Sequence, residues 1–210
     1  METVNGVVCV AFAWVEATPF EGISVARIGY FIFHVSNFRM LKRVPDVIKI
    51  FSEVRKKVPS KLILVGDGPD RSASELLARE LALQEHVKFL GKQSELVPLL
   101  SSADLMLMPS QSESFGLSAL EAMACEVPVI STSVGGLPEL QIHGETGYIA
   151  EIGDIDRMAR YAVELLTNTQ KHALFSAAAR RRAVNSFAIE KIVNQYEAYY
   201  EQCLAAGKGA

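Results

Sequence analysis

The sequence predicts an α/β domain built on a doubly wound parallel sheet and followed by C-terminal helices. From residue 29 onward, short runs of β-branched and aromatic residues alternate with amphipathic segments. The short runs are almost continuously apolar, which is typical of strands that helices cover on both faces. After residue 152 the pattern becomes wholly helical. In sheets of this kind, ligands bind beyond the carboxyl ends of the strands.

Each predicted element has a local reason in the sequence. The run GYFIFHVS at 29–36 is aromatic and apolar, which favours a strand. The segment 45–58 predicts a helix, because Pro45 suits a first helical position and apolar residues recur on one face. By the same criteria, the later predicted strands are 61–68, 87–91, 104–110 and 128–132. The later predicted helices are 72–83, near 93–102, 116–125, and near 155–167, 170–186 and 189–204.

These elements set the predicted domain boundaries. Residues 29–204 form the predicted domain, and residues 205–210 form a tail. Residues 1–28 do not share the alternating pattern and receive no role. Their apolar stretch at 7–15 is too short to span a bilayer, which takes about 20 residues, and it lacks the positive residues that precede a signal-peptide core.

Composition excludes several classes of function. The chain has 210 residues, 50% hydrophobic and 21% charged, which is enough for one sizeable core. A net charge of -3 provides no basic field for nucleic acid and no polybasic membrane patch. Cys9, Cys125 and Cys203 lie far apart and form no CxxC pair, so we expect no disulfide framework and no zinc site. A reducing, cytoplasmic setting fits this pattern.

Glycine-bearing turns follow three of the predicted strands. They contain Gly66 and Gly68, then Gly91, then Gly116 in the stretch ESFG. Glycine at the end of a strand lets the backbone approach a ligand closely, although any one of these could be a plain tight turn. Three turns at one edge of a sheet favour a nucleotide-type ligand.

The start of the helix at 116–125 carries two carboxylates. The amides of Phe115, Gly116 and Leu117 should lack intrahelical partners and so form an anion site. Glu113 precedes these amides and Glu121 lies inside the helix, where each could accept hydrogen bonds from sugar hydroxyls. A nucleotide sugar has this layout, with hydroxyls on both sides of a diphosphate. The alternatives are a helix-capping acid at Glu113 and a solvated helix face at Glu121.

Positive charge for a diphosphate would come from the loop after the first strand. This loop contains Arg39, Lys42 and Arg43. Each charge-assisted contact contributes about 1.5–3 kcal/mol. The alternative is a basic loop that simply faces solvent.

The stretches GDGP, FLG, PSQSESFGLSALEAMACEVPVIST and VGGLPELQIHGETGY, in this order, resemble the C-terminal, donor-binding domain of family 4 glycosyltransferases. These are retaining enzymes of the two-domain GT-B type, with a Rossmann-like C-terminal domain. The resemblance covers roughly residues 29–204. Within the family, HVSNFRMLKRVPDVI and LVGDGPD look most like the bacillithiol-pathway branch. That branch transfers N-acetylglucosamine from UDP-N-acetylglucosamine to L-malate.

The resemblance implies a role for each predicted site residue. Glu113 would contact the donor sugar and Glu121 the ribose, while Lys42 and Arg39 would stabilise the departing UDP. The remaining binding positions would be Gly66, Gly68, Lys92, Phe115, Gly116 and Leu117. The partners would be a nucleotide-sugar donor and a small-molecule acceptor. We expect no cofactor and no metal, because the sequence has no DxD motif and no His/Asp cluster.

The sequence departs from the family pattern at three points. Asn37 replaces an arginine that commonly precedes the lysine, so Arg39 would be its substitute. Glu126 stands where glycine commonly ends the helix, which costs about 1 kcal/mol if the backbone is left-handed there. The N-terminal half that carries the acceptor pocket is missing, so we expect little or no activity from the chain alone.

Two other classes of function are open to this sequence. One is a non-catalytic nucleotide-binding module. The other is an NAD-dependent oxidoreductase, which is disfavoured because Arg71 falls where GxGxxG needs its third glycine.

An apolar stripe marks the last predicted helix. Its members are Tyr196, Tyr199, Tyr200 and Leu204. Without a second domain, the stripe should be exposed, or should pack on residues 1–28 or on another copy of the chain.

Overall fold

The computed structural model describes residues 29–207, and the predictions for residues 1–28 and for the end of the tail lie outside the described part. This part contains six strands that alternate with helices, and the last three of its eight α-helices follow one another at the C-terminal end. The strands are β1 Tyr30–Val35, β2 Ser60–Val65, β3 Val87–Gly91, β4 Leu105–Met108, β5 Val129–Thr132 and β6 Gly147–Ala150. The helices are α1 Val44–Arg55, α2 Arg71–Glu80, α3 Val97–Leu100, α4 Leu117–Ala124, α5 Leu137–Leu140, α6 Ile155–Thr167, α7 Thr169–Phe187 and α8 Ile189–Gly207.

The six strands form one parallel sheet in the order β3-β2-β1-β4-β5-β6. The strand order reverses between β1 and β4, where Ile32 pairs with Leu105 and Phe33 with Met106. A doubly wound sheet opens a crevice at this reversal, beyond the carboxyl ends of the two strands. The predicted fold class is therefore confirmed.

Two apolar layers cover the sheet, one on each face. Alternate residues of β4 supply both: Leu105 and Leu107 belong to the cluster with α1 and α6, and Met106 and Met108 to the cluster with α4 and α7. Residues of β4 are buried along its whole length. This explains why the strand reads as a continuous apolar run.

Most predicted elements are confirmed within a few residues, and the differences are local. The helix predicted near 93–102 is only one turn, Val97–Leu100. Strand β6 and the short helix α5 were not predicted. Glu126 has a φ of +64°, so this residue, in place of glycine, does adopt the left-handed conformation after α4.

Candidate functional site

A cleft of about 540 Å³ lies where the strand order reverses. The loop after β1 forms one wall, and the loop after β4 together with the start of α4 forms the other. It brings together most of the predicted site residues, namely Arg39, Lys42, Glu113, Phe115, Gly116, Leu117 and Glu121. Ser36, Asn37, Leu41, Leu96 and Ser118 are among its other lining residues.

Lys42 and Glu113 form an ion pair across the cleft. The Nζ–Oε1 distance is 2.5 Å, and Ser110 Oγ donates a second hydrogen bond to Glu113 Oε1 at 3.0 Å. The Glu113 side chain is only 8% exposed and the Lys42 side chain 21%. Removing one member of such a pair leaves the other charge partly buried and unpaired, which is costly. The side-chain hydrogen bonds of Glu113 come from Lys42 and Ser110 rather than from an amide at the start of α4, which does not favour the helix-capping alternative.

Backbone packing holds the Glu113 loop in place. A Cβ on Gly135 would lie 1.6 Å from the carbonyl oxygen of Glu113, so only glycine allows this approach. Gly136 N–H donates to the Ser114 carbonyl at 3.1 Å. The hydroxyl of Thr132 donates to the Ser110 carbonyl at 2.6 Å. The loop after β5 therefore supports the loop after β4.

The sequence analysis missed these supporting residues. The pair Gly135–Gly136 directly after β5 was the available signal, since it is one more glycine turn at the same sheet edge. The two cleft walls are also joined, because Gln111 N–H donates to the Leu41 carbonyl at 2.7 Å.

The start of α4 presents unpaired backbone amides. Gly116, the N-cap residue, has a φ of +93° and packs against Leu137. Within residues 29–207, the amides of Phe115, Gly116, Leu117 and Ser118 donate no hydrogen bond to the chain. Such amides at a helix start favour an anion. The cleft thus has an anion-binding wall next to its lysine.

Glu121 lies one turn further into α4 and also lines the cleft. The residue is exposed along the cleft surface, yet partial burial raises the pKa of its carboxyl group above the usual range. A carboxyl group at this place can accept hydrogen bonds from the hydroxyl groups of a ligand.

The basic loop contributes less charge than predicted. Arg39 lines the cleft and is exposed. Arg43 does not line it, because its guanidinium pairs with Asp46 at a Nη2–Oδ2 distance of 2.5 Å. The lining of the cleft therefore gives no support to the expectation that Arg43 supplies charge to a bound anion. Asn37 lines the cleft in the region where the family's arginine is expected.

The structure places Gly66, Gly68 and Lys92 outside the lining of this cleft. A Cβ on Gly66 would lie 1.7 Å from the Ser36 carbonyl oxygen, and one on Gly68 would lie 2.0 Å from that of Asn37. These two glycines therefore let the β2 loop pack on the β1 loop. Lys92 is exposed after β3. A ligand contact at these three residues remains a prediction.

A second, apolar groove of about 800 Å³ adjoins the cleft. It runs between α4, the end of α7 and α8, and it shares Phe115 and Leu117 with the polar cleft. The stripe on α8 is exposed as predicted, at 57–67% for Tyr196, Tyr199, Tyr200 and Leu204. Among the described helices, none is long and apolar enough to cross a bilayer.

The parallel sheet with a polar cleft at its switch point defines a Rossmann-like domain of the GT-B type, and solved structures agree. The protein HepE of Anabaena, in complex with UDP and glucose, superposes with a TM-score of 0.77 at 26% identity, over 83% of this chain and 49% of HepE. Sucrose-phosphate synthase from Thermosynechococcus elongatus gives a TM-score of 0.78 at 29% identity, over 85% of this chain and 46% of the synthase.

Sequence comparisons establish the family. The model of "Glycosyl transferases group 1" matches residues 26–182, so the chain belongs to this family of glycosyltransferases. The N-acetyl-alpha-D-glucosaminyl L-malate synthase of Bacillus anthracis is 46% identical over 177 residues, covering 84% of this chain and 46% of that enzyme. The D-inositol 3-phosphate glycosyltransferase of Mycolicibacterium smegmatis is 36% identical over 154 residues, covering 70% of this chain and 35% of that enzyme. The chain thus spans less than half the length of both relatives.

Proposed function

We propose that this chain is the donor-binding half of a retaining glycosyltransferase. Its substrate would be UDP-N-acetylglucosamine, and the sugar would go to a small acceptor such as L-malate, in bacillithiol biosynthesis in the cytoplasm. The observation that carries the proposal is the meeting of Lys42, Glu113, Glu121 and the free α4 amides in one cleft. The similarity to the B. anthracis enzyme supports the choice of sugar and acceptor.

The cleft residues divide between the parts of the donor. Lys42 and the amides of Gly116 and Leu117 would bind the diphosphate. Glu113 would accept hydrogen bonds from the sugar hydroxyls, and Glu121 from the ribose hydroxyls. The nucleotide sugar would be a substrate, and the proposed reaction includes no cofactor.

In the proposed reaction, the bond between the anomeric carbon and the donor phosphate breaks while the acceptor oxygen bonds to the same face. The acceptor proton passes to the departing phosphate, and the configuration is retained. Lys42 and Arg39 would stabilise the negative charge that grows on UDP. Stabilisation of developing charge is usually the largest catalytic contribution.

The acceptor pocket would lie in a further part of the enzyme. The chain spans 46% of the B. anthracis relative. We therefore expect little or no turnover by this chain alone. Membership of a transferase family favours this function over a non-catalytic nucleotide-binding module.

Calorimetric titration with UDP tests the proposal. Lys42→Ala and Glu121→Ala should each weaken binding, and the loss of a charge-assisted contact at Lys42 corresponds to about 10-fold or more. Lys56→Ala is the control, because Lys56 is an exposed lysine paired only at the surface with Glu53. Unchanged UDP binding in both cleft variants would remove the basis for the site.

The substrate is tested separately. Addition of UDP-N-acetylglucosamine and L-malate to the chain joined to an N-terminal domain should release UDP, and Glu113→Gln should reduce that release. Ultracentrifugation of the chain alone would distinguish a homo-oligomer from a monomer.

A further inference from the structure

His34 is a fully buried histidine in β1 whose two ring nitrogens are both hydrogen-bonded. Nδ1 lies 2.8 Å from the carbonyl oxygen of Leu107 in β4, and Nε2 lies 2.8 Å from Ser36 Oγ. A carbonyl oxygen only accepts, so Nδ1 carries the proton and donates to Leu107. Nε2 must then accept the hydroxyl proton of Ser36. The imidazole is neutral in this arrangement, and burial lowers the pKa of His34 to about 4.

Ser36 extends this connection to the loop that follows β1. Its Oγ accepts the backbone N–H of Phe38 at 3.2 Å. Phe38 has a φ of +39°, which is uncommon for a residue other than glycine, and its buried ring stacks on His34 at 6.3 Å between centroids. These contacts fix the bend at which the chain leaves β1.

The bend determines where the basic loop goes. Four residues after Phe38, the Lys42 ammonium reaches Glu113 across the cleft. Lys42 and Glu113 are also the charged side chains that act electrostatically on His34. The histidine side chain itself does not line the cleft, while Ser36 does. Its influence on a ligand would therefore pass through the loop.

We propose that His34 is a positioning residue for the cleft: through Ser36 it fixes the loop that presents Lys42 to a nucleoside diphosphate. The inference rests on the proposed function, since it takes Lys42 as the group that binds the diphosphate. The imidazole of His34 hydrogen-bonds both to Leu107 in β4 and to Ser36 after β1. It therefore links the two strands between which the strand order reverses to the loop that carries Lys42.

Two variants interrupt the connection at different points. His34→Asn keeps a donor towards Leu107 but is too short to reach Ser36, whereas Ser36→Ala removes the hydroxyl alone. Ser60→Ala is the matched control, because Ser60 is a buried serine that donates to the Val58 carbonyl at the amino end of β2, away from the carboxyl ends where the cleft lies.

The experiment is a double-mutant cycle with UDP as the ligand. His34→Asn and Ser36→Ala should each weaken UDP binding by roughly 3- to 10-fold, which is the effect of one lost hydrogen bond. Ser60→Ala should change UDP binding by less than about 2-fold. In a Lys42→Ala background, the effect of Ser36→Ala and of His34→Asn should fall below about 2-fold, because they act through the missing lysine. A purely structural role, or a direct contact of Ser36 with UDP, would leave the effect undiminished.

The outcomes separate the two proposals. If Lys42→Ala weakens UDP binding but His34→Asn and Ser36→Ala behave like Ser60→Ala, the positioning role is refuted and the proposed function stands. If the full effect of both variants persists in the Lys42→Ala background, the positioning role is likewise refuted. If Lys42→Ala itself leaves UDP binding unchanged, both proposals fail.

Discussion

Gly135→Ala should separate the two loops that support the cleft. The added Cβ would lie 1.6 Å from the Glu113 carbonyl oxygen, whereas real Cβ contacts do not fall below 3.0 Å, so the segments must move apart by about 1.4 Å. Gly135 also has a φ of +53°, which adds strain for alanine. Left-handed backbone costs a non-glycine residue about 1–2 kcal/mol, and overpacking costs about 1–3 kcal/mol more.

Gly144→Ala is the matched control for this variant. Gly144 also has a left-handed φ, +80°, but a Cβ there would meet nothing within 4 Å. Its loss of stability should therefore be the strain alone, about 1–2 kcal/mol. For a chain of this size each kcal/mol lowers the midpoint of thermal unfolding by about 2–4 °C.

Thermal unfolding and UDP titration of the two variants complete the test. Gly135→Ala should lose about 2–5 kcal/mol and should bind UDP at least about 10-fold more weakly, because the displaced loop leads into the Gly116 and Leu117 amides that are proposed to bind the diphosphate. Gly144→Ala should keep its UDP affinity. Equal destabilisation and equal affinity in the two variants would refute the argument that Gly135 fixes the Glu113 loop.

Three further predictions follow from other parts of the chain. His34 should be protonated near pH 6.5 in the unfolded state but only near pH 4 in the folded state, so about 3 kcal/mol of the free energy of unfolding should be lost as the pH falls from 6.5 to 4. In urea unfolding, the stability of His34→Asn should depend less on pH than that of the unchanged chain. Glu126→Gly should stabilise the chain by up to about 1 kcal/mol in thermal unfolding by relieving the left-handed φ; a loss would mean that the exposed pair with Arg180, at 3.7 Å, outweighs the strain. A hydrophobic dye should bind the apolar groove beside α8, and Tyr199→Ser should reduce that binding more than Leu174→Ser, which changes a similarly exposed residue outside the groove. Equal dye binding by the two variants would contradict this prediction.

Much of the fold could be predicted because its signals are local. Helix α1 follows from Pro45 and a regular apolar face, and β4 from an unbroken apolar run. Strand β6 was missed because it begins with Gly147, which has no side chain to contribute to an apolar run and can therefore pack against the Val129 carbonyl. Helix α5 is a single turn of four residues, too short to show a helical period.

Most of the predicted site residues line one cleft, but the contacts among them were not predicted. Lys42, Glu113 and Glu121 all line the cleft, as expected from their positions after the ends of strands. The pairing of Lys42 with Glu113 joins loops 71 residues apart, and no local pattern indicates it. The tight approaches of Gly66 and Gly68 to the β1 loop likewise depend on how the strands are ordered in the sheet.

The ion pair between Lys42 and Glu113 would let the cleft select among anions. Because each charge already neutralises the other, a bare phosphate that captures the ammonium would leave a largely buried carboxylate with only the Ser110 hydroxyl. A molecule that carries hydroxyls beside its phosphates can instead replace both partners in a single exchange. Discrimination against free inorganic anions would then come from the cost of leaving the carboxylate without its cation, rather than from any steric barrier.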